Sequence, residues 1–592
     1  MRIARVILST LVTCVLCAFQ AHAQDMPTFE LVDNLNVGLT VAPFEKWGMA
    51  ISDIDRNGYP DIFCLRWKSP GFSRVYLNHG GVFTEISGQT PLEALENQEL
   101  NTTSALWVDY DNDGDRDLSI ATEKSLHLLR NDDNVFTEVS ATTGFVGQKP
   151  PGLITKWIYH IGGWADYDLD GDLDCAVTQD NNKKMYLFRN DGGVFTNVSA
   201  QARLDSSRLT QDYRFSWFDF DLDGDPDLIA RPVVMRNDGG IFTDVTAELG
   251  LSGVIEISDR AFIDYDNDGD FDFFKSANSA SSTTSNQLFE NQDNRFVEVT
   301  AAVGLSVIAI DYFHSMAAGD VDNDGDIDIY LNRGITGNDL LLMNDLDGSG
   351  QRAFVDVAEF VGIVIKESRK GAALFDYDRD GFLDIYMPSD AVNHLLYHNL
   401  ANNGAHWVGF ILEGTASNRD AVGSLVTLYT SIGQQTQYTT CGDGFLRQGT
   451  PWVHFGLGLA AGVDSVVVRW PLGLRQVITD VAIDQYHTIK EPDQTLVDSD
   501  RKPSLPEQYR LVNYPNPFNP STTIAFSLPH TDQVSVAVYT LRGEKTADLL
   551  NARLAAGRHQ VAWDARDCPS GIYFIVLQTQ GLQRICKAML MK

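Results

Sequence analysis

Between residues 46 and 399 the chain alternates short apolar runs with polar turns in a fixed order. The stretch from residue 105 shows it: apolar 105–108, an acidic nonapeptide, apolar 118–121, then 126–129 leading into Arg130-Asn131, then Phe136-Thr137-Glu138-Val139. Runs this short, bounded by Gly, Asn and Asp, predict strands rather than helices. The order returns with Arg189-Asn190 and Phe195-Thr196-Asn197-Val198, with Arg236-Asn237 and Phe242-Thr243-Asp244-Val245, with Glu290-Asn291 and Phe296-Val297-Glu298-Val299, and with Met343-Asn344 and Phe354-Val355-Asp356-Val357. Each unit therefore offers four strands. The last unit reaches residues 395–399 and lacks its fourth. Phe29-Glu30-Leu31-Val32 followed by Val37-Gly38-Leu39 matches Phe242-Thr243-Asp244-Val245 followed by Leu249-Gly250-Leu251, so the N-terminal strand is expected to complete the last unit.

The acidic nonapeptide D-x-D-x-[DN]-G-x-x-D sets the period. Its seven copies start at Asp53, Asp109, Asp166, Asp219, Asp264, Asp320 and Asp376, at intervals of 56, 57, 53, 45, 56 and 56 residues. A four-stranded unit repeated seven times at this period predicts an all-β fold, a seven-bladed β-propeller closed by its own N-terminal strand. Within one copy, carboxylates at positions 1, 3, 5 and 9 converge only if the chain curls around a point, and Gly at position 6 permits that curl. An all-oxygen, acid-rich shell suits Ca²⁺, which takes about 6–8 oxygen ligands. Zn²⁺ favours His or Cys, and no copy contains a His. The EF-hand resemblance is partial: position 12 is Cys64, Ile120 and Val177 in the first three copies, where an EF-hand has Glu. The expected ligands are Asp53, Asp55, Asn57 and Asp61; Asp109, Asp111, Asp113 and Asp117; Asp166, Asp168, Asp170 and Asp174; Asp219, Asp221, Asp223 and Asp227; Asp264, Asp266, Asp268 and Asp272; Asp320, Asp322, Asp324 and Asp328; and Asp376, Asp378, Asp380 and Asp384, for up to seven Ca²⁺. Asn57 at position 5 and Arg379 inside the last copy are expected to weaken the two loops at the seam.

Charge follows from the same motif. Lys and Arg number 45 against 80 Asp and Glu, a net of −35, and the seven nonapeptides hold 32 of those acids. Seven divalent ions would return fourteen positive charges. The acidity thus belongs to the loops, and it argues against nucleic acid, which calls for a basic face. Residues 1–23 read as a secretory signal: Arg2 and Arg5, an apolar 6–19, and Ala21-His22-Ala23 at the cleavage site. No later apolar run is long enough to span a bilayer. Outside the signal five cysteines remain. Cys64 and Cys175, on the strand after an acidic loop, read as buried thiols, Cys568 and Cys586 share the last domain, where a pairing is open but not readable from sequence, and Cys441 is left over.

The acidic loops and Phe-centred strands resemble the FG-GAP/VCBS repeats of integrin α-like propellers, which implies structural Ca²⁺ on one face. Past residue 402 the repeat stops. Ser417-Asn418-Arg419-Asp420-Ala421-Val422-Gly423, Gly442-Asp443-Gly444-Phe445-Leu446, His454-Phe455-Gly456-Leu457-Gly458 and Val468-Arg469-Trp470-Pro471 resemble the ASPIC/UnbV domain of the cartilage acidic protein family. There Arg419 and Asp420 read as an ion pair in a turn and His454 as a packed core residue. After a Pro-rich linker, Tyr514-Pro515-Asn516-Pro517-Phe518-Asn519-Pro520 and Gly571-Ile572-Tyr573 resemble the C-terminal sorting domain of the type IX secretion system. Strand spacing there suits a small Ig-like sandwich. The resemblance implies export by that machinery to the outer-membrane surface or medium. The expected organisation is signal 1–23, propeller 24–402, ASPIC/UnbV-like domain 403–490, linker 491–508 and sorting domain 509–592.

A ligand site is sought on the face opposite the acidic loops. Six residues before the motif starts stand Trp47, Thr103, His160, Tyr213, Ser258, His314 and Lys370. Aromatic rings with polar neighbours suit sugar or peptide recognition, so Trp47, His160, Tyr213, His314 and Lys370 are the candidate ligand contacts. The expected function is extracellular binding or adhesion to a glycan or protein, without catalysis. Two alternatives stand beside it. Proton abstraction by the two His, the Tyr and the Lys would make a calcium-dependent polysaccharide lyase, and a structural matrix component would need no small-ligand site.

Overall fold

A computed structural model describes residues 26–590 except 35, 40–45, 67–72, 97–100, 148–158, 180–183, 205–214, 256–258, 277–285, 309–312, 334–337, 347–350, 366–370, 389–393, 443–446, 493–509, 515–519, 529–531, 543, 555–556, 567 and 580–582. The signal-like segment therefore lies outside the described residues, as do Tyr213, Ser258 and Lys370. The chain divides into two compact units between residues 493 and 494.

The larger unit is built on seven antiparallel sheets in chain order. The second is typical: Thr102–Val108, Asp117–Thr122, Leu126–Asp132 and Val135–Glu138. Its first two strands are buried at every position, while the outermost alternates or is mostly exposed. Inner strands covered on both faces read as continuous apolar runs, and only outer strands show a period of two. The first sheet gains a fifth strand, Arg447–Gln448, running parallel to Lys46–Ser52.

The expected seam is present. Phe29–Leu31 pairs antiparallel with Leu395–Asn399 and is the fourth strand of the sheet that holds Ala373–Phe375 and Asp384–Met387. The same joint links successive sheets on either side of it. The N–H of the outer-strand Phe donates to a carbonyl of the preceding unit: Phe296 to Leu249, Phe354 to Val303, Phe29 to Val361 and Phe83 to Val37. The following Gly takes a left-handed φ because a side chain there has no room. A Cβ on Gly38 (φ +79°) would lie 2.0 Å from the Phe83 carbonyl oxygen, and one on Gly362 (φ +95°) 2.8 Å from that of Phe29. Apolar clusters fill the spaces between neighbouring sheets. One joins Met49, Ile51 and Tyr76 of the first sheet, with Leu39 from the segment before it, to Phe375, Tyr386 and Leu396 of the last.

Residues 406–490 form two smaller sheets around one core, with Val408, Phe410 and Phe455 on one side and Val426, Val466 and Trp470 on the other. They belong to the same compact unit as the repeats. The C-terminal unit likewise packs a three-stranded sheet (Arg510–Tyr514, Ser521–Leu528, Gly557–Asp564) and a four-stranded one on a common core that includes Ile524, Trp563, Val536 and Ile575. Cys568 and Cys586 both stay free there, and Cys64, Cys175 and Cys441 are buried free thiols. Among the described residues no helix is long and apolar enough to cross a membrane.

Candidate metal centres

Each acidic loop closes on its own backbone in the same way. The position-1 carboxylate accepts the Gly N–H of position 6 through Oδ2, at 2.8–3.1 Å in all seven copies. The position-5 Oδ1 accepts the N–H of position 7 at 2.8–3.0 Å. Asn57 makes this bond as the aspartates do, and its amide Nδ2 also donates to Asn78 O at 2.8 Å. The position-9 Asp is buried in every copy. Its Oδ2 accepts the position-2 N–H at 2.8–3.3 Å. Its Oδ1 accepts the N–H of the third-strand Asn, Asn78 to Asn399, at 2.6–2.9 Å. That carboxylate ties the loop to the third strand, and explains why an Asn recurs there: its side-chain amide continues to the neighbouring sheet, as Asn190 Nδ2 does to Tyr110 O and Asn78 Nδ2 to Tyr377 O.

Position 4 carries no chemistry in the sequence pattern, yet it decides the loop's shape. Arg56, Asn112, Leu169, Leu222, Asn267, Asn323 and Arg379 all have φ between +55° and +65°. Asn tolerates that region, and its presence in three of the seven copies was the available signal. Several of these side chains reach the next loop: Asn112 to Gly171 O, Asn323 to Gly381 O and Arg379 to Gly58 O. Arg379 therefore points out of its own loop toward the first one. It lies 5.0 Å from the Tyr486 ring centroid and 5.8 Å from that of Trp452.

In the first four loops the carboxylates of positions 1, 3 and 9 bring ligand atoms within 4.8 Å of one another, for example Asp109, Asp111 and Asp117. In the seventh, the same measure joins Asp378, Asp380 and His398. His398 was missed because it lies two strands from its loop, in the place held by Arg130 or Arg189 elsewhere; its Nε2 is 3.2 Å from Asp380 and 3.3 Å from Asp378. The residues fit a hard cation. The donors are carboxylate oxygens, and Oδ1 of Asp111, Asp266 and Asp378, all at position 3, is buried without a hydrogen bond.

Burial pushes these carboxyls up, because loss of water penalises the charged form. Asp61 rises to about 8, Asp272 to about 9 and Asp117 to about 10, with neighbouring loop aspartates adding to the effect. A carboxyl raised in the fold and ordinary in the unfolded chain binds protons preferentially when folded. Its contribution to stability is complete below the unfolded pKa, near 4, and is lost as pH rises through the folded value. In chelator, the melting temperature is therefore expected to fall by several degrees between pH 5 and pH 9, and calcium should flatten that slope. Equal slopes with and without calcium would count against cation binding in the loops.

The second to seventh loops are also contacted by residues 403–490. Asp420 Oδ2 accepts the Asp109 N–H at 2.9 Å, while Arg116 pairs with its other oxygen at 3.0 Å. Ala416 O packs on Gly171. Arg469 bridges Leu222 O and Asp219, Gln434 donates to Asp268 O, His454 Nε2 lies 2.8 Å from Asn323 Oδ1, and Tyr486 donates to Asp376 Oδ2 at 2.9 Å. Arg419 pairs with Glu413 instead, which corrects the expected Arg419–Asp420 turn pair. Burial lowers His454 to about 4, consistent with a packed neutral imidazole.

The expected ligand ring has a different character. Thr103, His160 and His314 are buried, with His160 only 3% and His314 9% exposed. His160 and His314 lie inside the innermost strands Tyr159–Ala165 and Phe313–Gly319, and Trp47 lies on Lys46–Ser52.

Sheets repeated on this plan, with acidic loops at one end of each, define an all-β repeat protein whose loops carry acidic groups that could hold a cation. Three families match along the chain. Residues 53–120 and 166–230 match the FG-GAP-like repeat, 414–496 match ASPIC and UnbV, and 513–591 match the secretion system C-terminal sorting domain. The protein thus carries FG-GAP-like repeats, an ASPIC/UnbV domain and a sorting domain, and the last marks it as secreted or displayed on the cell surface. No curated protein matches the chain. Among solved structures, Saccharomyces cerevisiae core factor is 10% identical over 63% of this chain and 60% of its own, with a TM-score of 0.34. This chain thus spans less than two thirds of that structure's length. PorZ, a surface component of the type IX secretion system of Porphyromonas gingivalis, is 11% identical over 90% of each chain, with a TM-score of 0.21. Likenesses this distant carry no argument about fold or function.

Proposed function

We propose that the seven sheets close into a seven-bladed propeller whose loops hold Ca²⁺, and that the protein is a surface-displayed binding or adhesion module for an extracellular glycan or protein. The closure reading is supported by the Phe29, Phe83 and Arg379 contacts, which repeat across the first and last sheets the joints found between the others. Calcium is preferred over magnesium because each loop offers several carboxylates, whereas magnesium usually keeps several waters and binds through one or two. The boundaries we adopt are 24–402 for the propeller and 403–490 for the second domain, with an Ig-like sandwich as the sorting domain.

One observation carries the functional reading. In each repeat the position-1 and position-9 carboxylates accept backbone N–H groups of their own unit, so the acidic loops serve the scaffold, and recognition falls to the non-repeating surface. The buried placement of His160 and His314 supports a non-enzymatic role over a lyase. The test is capture of the calcium-loaded full chain on glycan arrays and on immobilised surface proteins, with and without chelator. Calcium-dependent binding without product release is expected. Release of unsaturated sugar ends from acidic polysaccharides, or no binding to either class, would reject the proposal.

A further inference from the structure

The seventh acidic loop meets a ligand type that no nonapeptide contains. His398 stands on the third strand of its sheet, directly before Asn399, at the place of Arg130, Arg189 and Arg236 in the second to fourth units. Those arginines turn to the acid that follows the Asn: Arg130 to Asp132 at 2.8 Å, Arg189 to Asp191 at 2.9 Å and Arg236 to Asp238 at 3.0 Å. In the last unit Leu400 occupies the place of that acid, and His398 turns to the loop instead. Its Nε2 is 3.2 Å from Asp380 Oδ2 and 3.3 Å from Asp378 Oδ2. The Tyr377 ring meets the imidazole edge-on, with centroids 5.6 Å apart, and holds it there. Asp380 Oδ1 accepts the Phe382 N–H at 3.0 Å, so Oδ2 is the oxygen that faces the imidazole. Asp378 Oδ1 is buried with no hydrogen bond. One ligand atom from each of the three residues lies within 4.8 Å of the other two.

We infer that Asp378, Asp380 and His398 bind a borderline divalent cation of the Zn²⁺ and Co²⁺ kind at the seventh loop, an inference that rests on the proposed reading of the loops as cation sites and changes the ion at one of them. Ca²⁺ takes oxygen donors. A neutral imidazole nitrogen suits zinc and its first-row neighbours, and carboxylates complete such shells. The spacing agrees. Around an ion with bonds of about 2.0–2.2 Å, adjacent donor atoms stand roughly 3–3.5 Å apart. A charge-assisted hydrogen bond closes further, to about 2.7–2.9 Å. Both His398 distances fall in the first window. The buried Asp378 Oδ1 needs a partner that an ion pair through Oδ2 does not supply, and a cation seated among the three residues supplies it. His398 also pairs across the sheet with Glu30 of the N-terminal strand. An ion here therefore ties the last loop to the sheet beside the joint that this strand makes.

The test titrates the full chain with Co²⁺ in excess Ca²⁺, follows the visible absorption of the cobalt and counts both metals after desalting. A single Co²⁺ is expected to bind beside the calcium, with a spectrum that Zn²⁺ abolishes by competition. His398→Arg installs the residue of the second to fourth units and should abolish that spectrum. Asp380→Asn is the second variant. It places at position 5 the residue of the first loop, where Asn57 keeps the backbone bond of the aspartates. Loss of an outer-shell partner alone costs a metal site roughly 10–100-fold, so Asp380→Asn should weaken Co²⁺ about tenfold or more. An unchanged cobalt spectrum and affinity in folded His398→Arg or Asp380→Asn would overturn the inference. A chain that takes up calcium but retains no Co²⁺ would overturn it and leave the calcium loops standing. A chain that takes up Co²⁺ at His398 but no calcium would support this site and reject calcium in the other loops.

Discussion

Stripping divalent cations from the full chain is expected to lower its melting temperature by roughly 10 °C, and added calcium to restore it. Thirty-two acids lie in seven nonapeptides; the position-9 carboxylate is buried in each copy and the position-1 carboxylate in all but the first. Without a cation these groups must either take up protons or repel one another. A ligand at a hundredfold excess over Kd stabilises by about 2.7 kcal/mol per site, so three occupied loops alone contribute roughly 8 kcal/mol. A 150–250-residue domain shifts by about 2–4 °C per kcal/mol, and scaling to this length leaves roughly 1–2 °C. The second domain shares the effect, since Arg469 pairs with Asp219 and Tyr486 donates to Asp376. Magnesium should restore less, because it retains water and demands near-octahedral geometry. Differential scanning calorimetry in chelator, then after refilling with each ion, checks this. An unchanged melt in chelator would refute structural calcium.

Deleting residues 24–40 is expected to prevent the repeats from reaching their native state. That segment supplies the fourth strand of the last sheet and the joint to the first. It takes away the Phe29–Leu31 pairing with Leu395–Asn399, the Phe29 N–H bond to Val361 and the Phe83 N–H bond to Val37. It also removes Phe29 and Leu39 from the cores of the two clusters beside the last sheet. Emptying a large buried side chain costs about 2–5 kcal/mol. Two such losses, with a sheet edge left open, rival the roughly 5–15 kcal/mol that holds an ordinary domain folded. A milder variant, Phe29→Ala, should fold with a lower melting temperature. Far-UV circular dichroism and thermal melts separate the cases, and a normal cooperative melt for the deletion would refute a seam closed by the N-terminal strand.

The repeat was legible because its signals are local. Nine residues that curl around a cation, a Gly that permits the curl and an Asn that answers the position-9 Asp all lie close together in sequence. The left-handed residue at position 4 was harder to read, since only Asn112, Asn267 and Asn323 advertise it while Leu and Arg fill the other copies. The burial of Thr103, His160 and His314 was not legible, because an inner strand buried on both faces gives no sequence sign of which way a side chain such as His160 points. The Arg419–Asp420 pairing failed for a related reason: the partners that compete for these side chains, Glu413 and Arg116, come from a neighbouring strand and a distant loop.

By itself the sequence determined the period, the four-strand unit, the acidic loops and the secretory ending, all set by residues within one unit of each other. Only the tertiary structure decided that the second domain sits on the acidic loops, that Arg379 reaches across to Gly58 and that His398 joins the seventh loop. Those contacts join residues from different strands, sheets and domains. Side-chain charge and hydrogen-bonding capacity are written in the sequence, but the choice among competing partners depends on which surfaces the packed sheets bring together.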